Sequence, residues 1–225
     1  MAQNLIVILD AIKSHWEVQQ SSFIDANTQT LTLPLVINAL KALSFALKIQ
    51  HSENYMQIYI ATGNTLVPEL PENCKAIQGT IWKATARALC YINSAKIKAR
   101  ILVIQKSVVP GEQDIALNLM IAAQQLKTEI DGLAFTECEV LAKTSAFSGG
   151  VFMRQNSIGI LQTLLQVYLP INRPRTPKMH FKPYCNCCNK QVDRAYVCSS
   201  CLAIYCFLQP NCTKCFSRLI LPDCI

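Results

Sequence analysis

Apolar positions along the first three quarters of the chain alternate between two periods. Leu5-Ile6-Val7-Ile8-Leu9 and Ile101-Leu102-Val103-Ile104 are unbroken aliphatic runs, the pattern of central strands buried on both faces of a parallel sheet. Tyr55 to Ala61, Ile130 to Phe135 and Gly150 to Met153 read as further strands, the first of them closed by Gly63-Asn64. Between the strands the apolar spacing becomes helical. Residues 34–50 place Leu35, Ala39, Leu43, Ala46 and Leu47 on one side with Lys41 and Lys48 elsewhere, and residues 81–94 turn Ile81, Ala88, Leu89 and Ile92 inward. Helices over 112–127, after Pro110-Gly111, and over 137–146 and 157–169 continue the rhythm. This alternation predicts an α/β domain over residues 1–169, with a doubly wound, mostly parallel sheet.

Composition narrows the class. The 225 residues suffice for one full domain and a small module. Hydrophobic residues make up 51% and charged residues 16%, with a mean hydropathy of +0.24, which excludes disorder over most of the chain. The most apolar long window, Leu31 to Ile49, is interrupted by Pro34, Asn38, Lys41 and Lys48, so no membrane-spanning helix is expected. Residues 1–14 lack a basic start followed by an apolar run and a small-residue cleavage site, and an intracellular chain is expected.

The net charge of +7 is unevenly placed. Residues 1–169 carry 13 Lys and Arg against 12 Asp and Glu, whereas residues 170–225 carry 8 against 2. Cysteine is just as uneven. Of 12, only Cys74, Cys90 and Cys138 precede residue 185, and they read as packing residues; Cys224 stands alone, and the other eight crowd into residues 185–215. Cys198-x2-Cys201 and Cys212-x2-Cys215 are unambiguous knuckles. A third uses Cys185 with Cys188, for which Cys187 competes. In a reducing compartment such a cluster reads as metal ligands rather than disulfides, and two knuckles can close one tetrahedral zinc site. The surest set is Cys198, Cys201, Cys212 and Cys215; Cys185, Cys187 or Cys188, and Cys206 supply three or four thiolates for a second, so one or two zinc ions are expected. Eight thiolates and two Zn²⁺ would lower the tail's charge by four, to about +2, leaving direct nucleic-acid contact weak or absent. Residues 170–183 hold four of the ten prolines and predict a semi-rigid linker before a zinc module at 184–225. His180 in that linker reads as solvated.

Catalytic signatures are missing. The chain has no G-x-G-x-x-G, no G-x4-G-K-[ST] and no G-x-S-x-G, so no nucleotide is expected. None of His15, His51 and His180 is paired in the sequence with an obvious nucleophile and acid. A non-enzymatic protein is expected.

The end of the first strand brings a family into view. Leu9-Asp10-Ala11-Ile12-Lys13-Ser14 resembles the D-x-S-x-S of von Willebrand factor A domains, whose adhesion site holds Mg²⁺ through those oxygens, a later threonine and a later aspartate. Asp10 and Ser14 match, Ile12 replaces the middle serine, Gly79-Thr80 matches the family's G-T, and Gln105-Lys106-Ser107 stands where the family has T-D-G. The resemblance implies a degenerate site in which Asp10, Ser14 and Thr80 do not bind metal. Asp10 then reads as a strand-end acceptor and Thr80 as the cap of the 81–94 helix.

A degenerate von Willebrand A-like domain, a proline linker, and then Tyr184-Cys-Asn-Cys-Cys and Tyr196-Val-Cys-Ser-Ser-Cys-Leu-Ala-Ile-Tyr-Cys-x5-Cys-Thr-Lys-Cys together resemble the smaller von Willebrand A-containing core subunits of TFIIH, the general transcription and nucleotide-excision-repair factor. The first cluster of that family reads C-x-C-H, and Cys188 stands at the histidine's position. The resemblance implies a nuclear, non-enzymatic scaffold that pairs with the sister von Willebrand A and zinc subunit and helps regulate the helicase subunits, with no membrane association. Two other readings remain. A RING-type ubiquitin ligase would bind two zincs in cross-brace order, although Cys206-x5-Cys212-x2-Cys215 supplies one cysteine too few for the third pair. A zinc-dependent DNA-binding module is the other.

Overall fold

The computed structural model describes residues 4–16, 32–63, 74–107, 113–155, 159–170, 184–192, 194–201 and 203–218. It divides into two compact units, Met1–Pro177 and Lys178–Ile225. The division falls inside the expected linker 170–183, of which residues 171–183 lie outside the described residues.

In the first unit β1 (Asn4–Asp10) leads through the short α1 (Lys13–Trp16) and α2 (Leu33–Gln50) to β2 (Tyr55–Ala61) and β3 (Cys74–Ile77). Then follow α3 (Ile81–Ala95), β4 (Ala99–Gln105), α4 (Gln113–Gln125), β5 (Ile130–Ala134), α5 (Glu139–Ser148) and β6 (Phe152–Arg154). The last helix starts as α6 (Ile160–Thr163) and continues in a π-helical turn, Leu164–Tyr168. The six strands lie in the order β3-β2-β1-β4-β5-β6, all neighbours parallel. The chain leaves β1 first toward one edge and then, through β4, toward the other. The carboxyl ends of β1 and β4 therefore form the topological switch point, where such sheets usually present their functional loops.

The aliphatic runs split between two cores because strand side chains alternate. Ile6, Ile8, Ile101 and Val103 pack with Trp82, Leu89 and Ile92 of α3 and Leu119 of α4. Leu5, Val7, Leu9, Leu102 and Ile104 pack on the other face with Val36, Leu40, Leu43 and Leu47 of α2 and with Leu164 and Tyr168. Each such side chain contributes about 1.5–3 kcal/mol of burial. The final helix is tied down by polar contacts as well: Tyr168 donates its hydroxyl to the Gly132 carbonyl at 2.6 Å, and Arg100 donates to the Tyr168 carbonyl at 3.0 Å.

Several expectations need correction. The inward stripe of α2 runs through Val36 and Leu40, while Leu35 is exposed; the helix is rotated by one position because Val36 and Leu40, in step with Leu43 and Leu47, reach the sheet. By length and composition alone α2 is apolar enough to cross a membrane, contrary to the sequence expectation, yet its inner face is committed to the sheet. The last strand is Phe152–Arg154 instead of 150–153: Val151 turns its N–H to the buried Asp131 carboxylate at 2.9 Å and meets β5 only through its carbonyl, which accepts the Gly132 N–H at 2.8 Å. Edge strand β3, unanticipated, is four residues long and half exposed, too short to show a period. Asn64, Pro110, Gly111 and His180 lie outside the described residues.

Candidate metal centres

Among its described residues the second unit is built from three turns and one hairpin. β7 (Tyr196–Val197) pairs antiparallel with β8 (Ile204–Tyr205). The Cys185 N–H donates to the Lys190 carbonyl, Cys198 to Ala203, and Cys212 to Ser217, each at 2.8–2.9 Å and each spanning five residues. Three knuckles thus share one backbone pattern. In two of them the residue after the C-x2-C is left-handed, Asn189 at φ 56° and Phe216 at φ 59°. The equivalence matches Cys188 with Cys201 and Cys215 and leaves Cys187 as an additional thiol within the first turn.

The eight sulfurs fall into two groups. Cys198, Cys201, Cys212 and Cys215 bring all four Sγ atoms within 4.8 Å of one another, and Cys185, Cys187, Cys188 and Cys206 do the same. Tetrahedral zinc with Zn–S bonds of about 2.3 Å requires S···S edges of about 3.8 Å. The observed separations bracket that value: 3.6 Å for Cys198–Cys215, 3.5 Å for Cys201–Cys212, 3.4 Å for Cys187–Cys206 and 3.9 Å for Cys188–Cys206, with Cys185–Cys187 shorter at 2.9 Å. Donor type, number and spacing fit a structural zinc in each group. Cys187 and Cys188, alternatives in the sequence, stand in the same group.

Without metal the thiols share protons. The Ser217 hydroxyl, helped by the Cys201 amide, pulls the Cys198 thiol down to about 5. Burial pushes Cys201 up to about 12, and hydrogen bonds from Cys187 and Cys185 do the same for Cys206. Tyr205, fully buried, points its hydroxyl at Cys212 Sγ from 3.1 Å.

The switch point of the first unit holds the other candidate residues. Asp10 is 2% exposed, and its carboxylate accepts the Ile12 N–H at 3.2 Å and the Lys106 N–H at 3.4 Å, with His15 Nδ1 2.8 Å from Oδ2. The strand-end acceptor role is observed, and His15 does have an acidic partner, which sequence reading missed despite a separation of only five residues. Trp16 donates its indole N–H to the Asp10 carbonyl at 2.7 Å. The Lys106 ammonium rests 5.4 Å from the Trp16 ring centroid and 5.5 Å from that of Phe135, so a tethered cation covers this end of the sheet. Ser14 is exposed. Thr80 occupies the cap position of α3, but its hydroxyl makes no capping bond and is buried without a partner among the described residues, a correction to the cap expected there. Cys138, read as a packing residue, is buried with its Sγ 3.2 Å from Gln105 Oε1.

These features define a von Willebrand A-like domain followed by a two-cluster cysteine module. The N-terminal domain of TFIIH p34 superposes with a TM-score of 0.58 at 20% identity, covering 74% of this chain and 97% of that one. The VWA domain of SpRpn10 gives 0.52 at 12%, covering 73% and 94%. The family model described as Transcription factor Tfb4 matches residues 50–216, across both units. The chain belongs to the Tfb4 family. Its curated relatives include "General transcription factor IIH subunit 3" of Dictyostelium discoideum, 29% identical over 60% of this chain and 40% of that protein. "General transcription and DNA repair factor IIH subunit tfb4" of Schizosaccharomyces pombe is 28% identical over 60% and 50%, and the TFB4 subunit of Arabidopsis thaliana 29% over 58% and 49%. The chain spans about half the length of the relatives it matches.

Proposed function

We propose that this chain is a non-enzymatic structural and regulatory core subunit of TFIIH, acting in the nucleus in RNA polymerase II initiation and nucleotide excision repair. The observation that carries it is the family match over residues 50–216, which joins the α/β unit to the cysteine module. The first partner is the sister von Willebrand A and zinc subunit, and the helicase subunits are reached through it. Zinc bound by Cys185, Cys187, Cys188 and Cys206, and by Cys198, Cys201, Cys212 and Cys215, holds the second unit folded, since a module this small has too little core to fold alone. Domain boundaries at 169 and 184 follow from the same reading.

The two sulfur groups interleave along the chain, which is the feature a RING ligase would share. The division argues against that rival: one group takes three ligands from residues 185–188 and one from 206, whereas cross-brace order takes two and two. Affinity purification of the endogenous chain tests the proposal. Recovery of both TFIIH helicases supports it; their absence together with discharge of a charged ubiquitin-conjugating enzyme by the purified chain would favour the ligase.

A further inference from the structure

We propose that the cluster of Cys185, Cys187, Cys188 and Cys206 is a hydroperoxide-sensitive oxidation site, at which Cys187 and Cys206 join in a disulfide and a bound metal ion is released while the second cluster keeps its own. The proposal rests on the zinc reading above, in which the ligating sulfurs are held as thiolates.

Access separates the clusters first. Cys187, Cys188 and Cys206 are exposed and only Cys185 is buried, whereas in the second cluster Cys215 alone is exposed, Cys198 and Cys212 being fully buried in a small core with Ala203 and Tyr205, against which Cys201 packs. Oxidation of cysteine follows thiolate exposure. Hydrogen bonding separates them again. In the second cluster the Ser217 hydroxyl lies 3.3 Å from Cys198 Sγ and 3.0 Å from Cys215 Sγ, and the Tyr205 hydroxyl 3.1 Å from Cys212 Sγ. A hydroxyl donating to a thiolate draws on the lone pair that would attack an oxidant. No hydroxyl reaches Cys187, Cys188 or Cys206 among the described residues; the backbone donors of the Cys187 and Cys206 amides go to Cys185, at 3.4 and 3.1 Å.

Geometry selects the pair. Cys187 Sγ is 3.4 Å from Cys206 Sγ, both are exposed, and they come from separate turns, so no tight ring is closed. The Cys187 thiolate attacks the peroxide oxygen, the O–O bond breaks, and a sulfenic acid and hydroxide form. The Cys206 thiolate then attacks that sulfur, forming the S–S bond and expelling a second hydroxide. Two electrons pass from two sulfurs to one peroxide. Cys185 and Cys188 remain, too few donors for a four-coordinate zinc site.

The test uses the full-length chain reconstituted with zinc and counted by elemental analysis. Hydrogen peroxide is added in small molar excess, released zinc is followed with a chromogenic chelator, and disulfides are mapped by peptide mass spectrometry after alkylation. The expected result is release of one of two equivalents at least about tenfold faster than the other, with a Cys187–Cys206 linkage and the 198–215 cysteines still reduced. Simultaneous loss of both equivalents, or a first disulfide within the second cluster, would overturn the proposal. Fewer than two equivalents before peroxide would overturn the zinc reading and the proposal with it, whereas two equivalents lost in the wrong order would overturn the proposal alone.

Discussion

Asp10 shows how one buried side chain organises an end of the sheet. Its carboxylate gathers the amides of Ile12 and Lys106 and the imidazole of His15, holding the loops after β1 and β4 together. Asp10→Ala strands these donors in a buried place, at a cost of about 1–3 kcal/mol. Urea denaturation should show that loss, while the proposed pairing with a sister subunit should stay indifferent to Mg²⁺ and to its chelation in both proteins. A wild-type pairing that required Mg²⁺ and lost the requirement in the variant would contradict the degenerate-site reading. The thiols make a second prediction at this scale. Cys201 and Cys206, both pushed up to about 12 without metal, carry protons at neutral pH, and zinc must displace them. Protons bound in the free state and released on binding make affinity fall as pH falls. Chelator competition between about pH 6 and 8 should therefore show zinc held more weakly at the acidic end, and a pH-independent affinity would exclude thiolate ligation by these residues.

Two adjacent glycines between α5 and β6 separate backbone conformation from space. Gly149 ends α5 at φ +80° with nothing near a would-be Cβ, whereas a Cβ on Gly150 would stand 2.1 Å from the Ile130 carbonyl oxygen of β5. Backbone of a central strand cannot move aside cheaply. Gly149→Ala should cost about 1–2 kcal/mol from left-handed strain, and Gly150→Ala about 3 kcal/mol or more from overpacking. Thermal unfolding of both variants checks the ranking, and equal costs would show that β5 and β6 can separate at this point. The knuckles make the complementary case: three short turns with the same five-residue hydrogen bond place three cysteine pairs, and the hairpin between β7 and β8 brings Cys206 back to the first of them.

At the scale of the whole chain, the two compact units differ in what holds them. The first has two aliphatic cores flanking a six-stranded sheet; the second has one small cluster around Cys198, Ala203, Tyr205 and Cys212. Metal ligation should therefore supply most of the folding free energy of the second unit alone. Limited proteolysis of wild type and Cys201→Ser tests both the division and this asymmetry. Wild type should be cut within 170–183 to leave a stable fragment ending near Leu169; Cys201→Ser should give the same fragment with its second unit digested away. Preferred cleavage inside α3 would refute the domain plan.

The alternation of strand and helix, the two central strands and the pairing of cysteines into knuckles were legible in the sequence alone, because each is a local periodicity: burial on both faces of β1 makes an unbroken aliphatic run, and a knuckle needs only two cysteines three positions apart. The rest depends on residues far apart in the chain. Spacing left Cys187 and Cys188 as rivals, and only the return of Cys206 across the hairpin put both in one sulfur group. Leu35 and Val36 were equally apolar, so the rotation of α2 was decided by the surface of the sheet. Lys106 came to lie between Trp16 and Phe135 because parallel pairing sets the ends of β1, β4 and β5 side by side, a juxtaposition that no repeat along the sequence encodes.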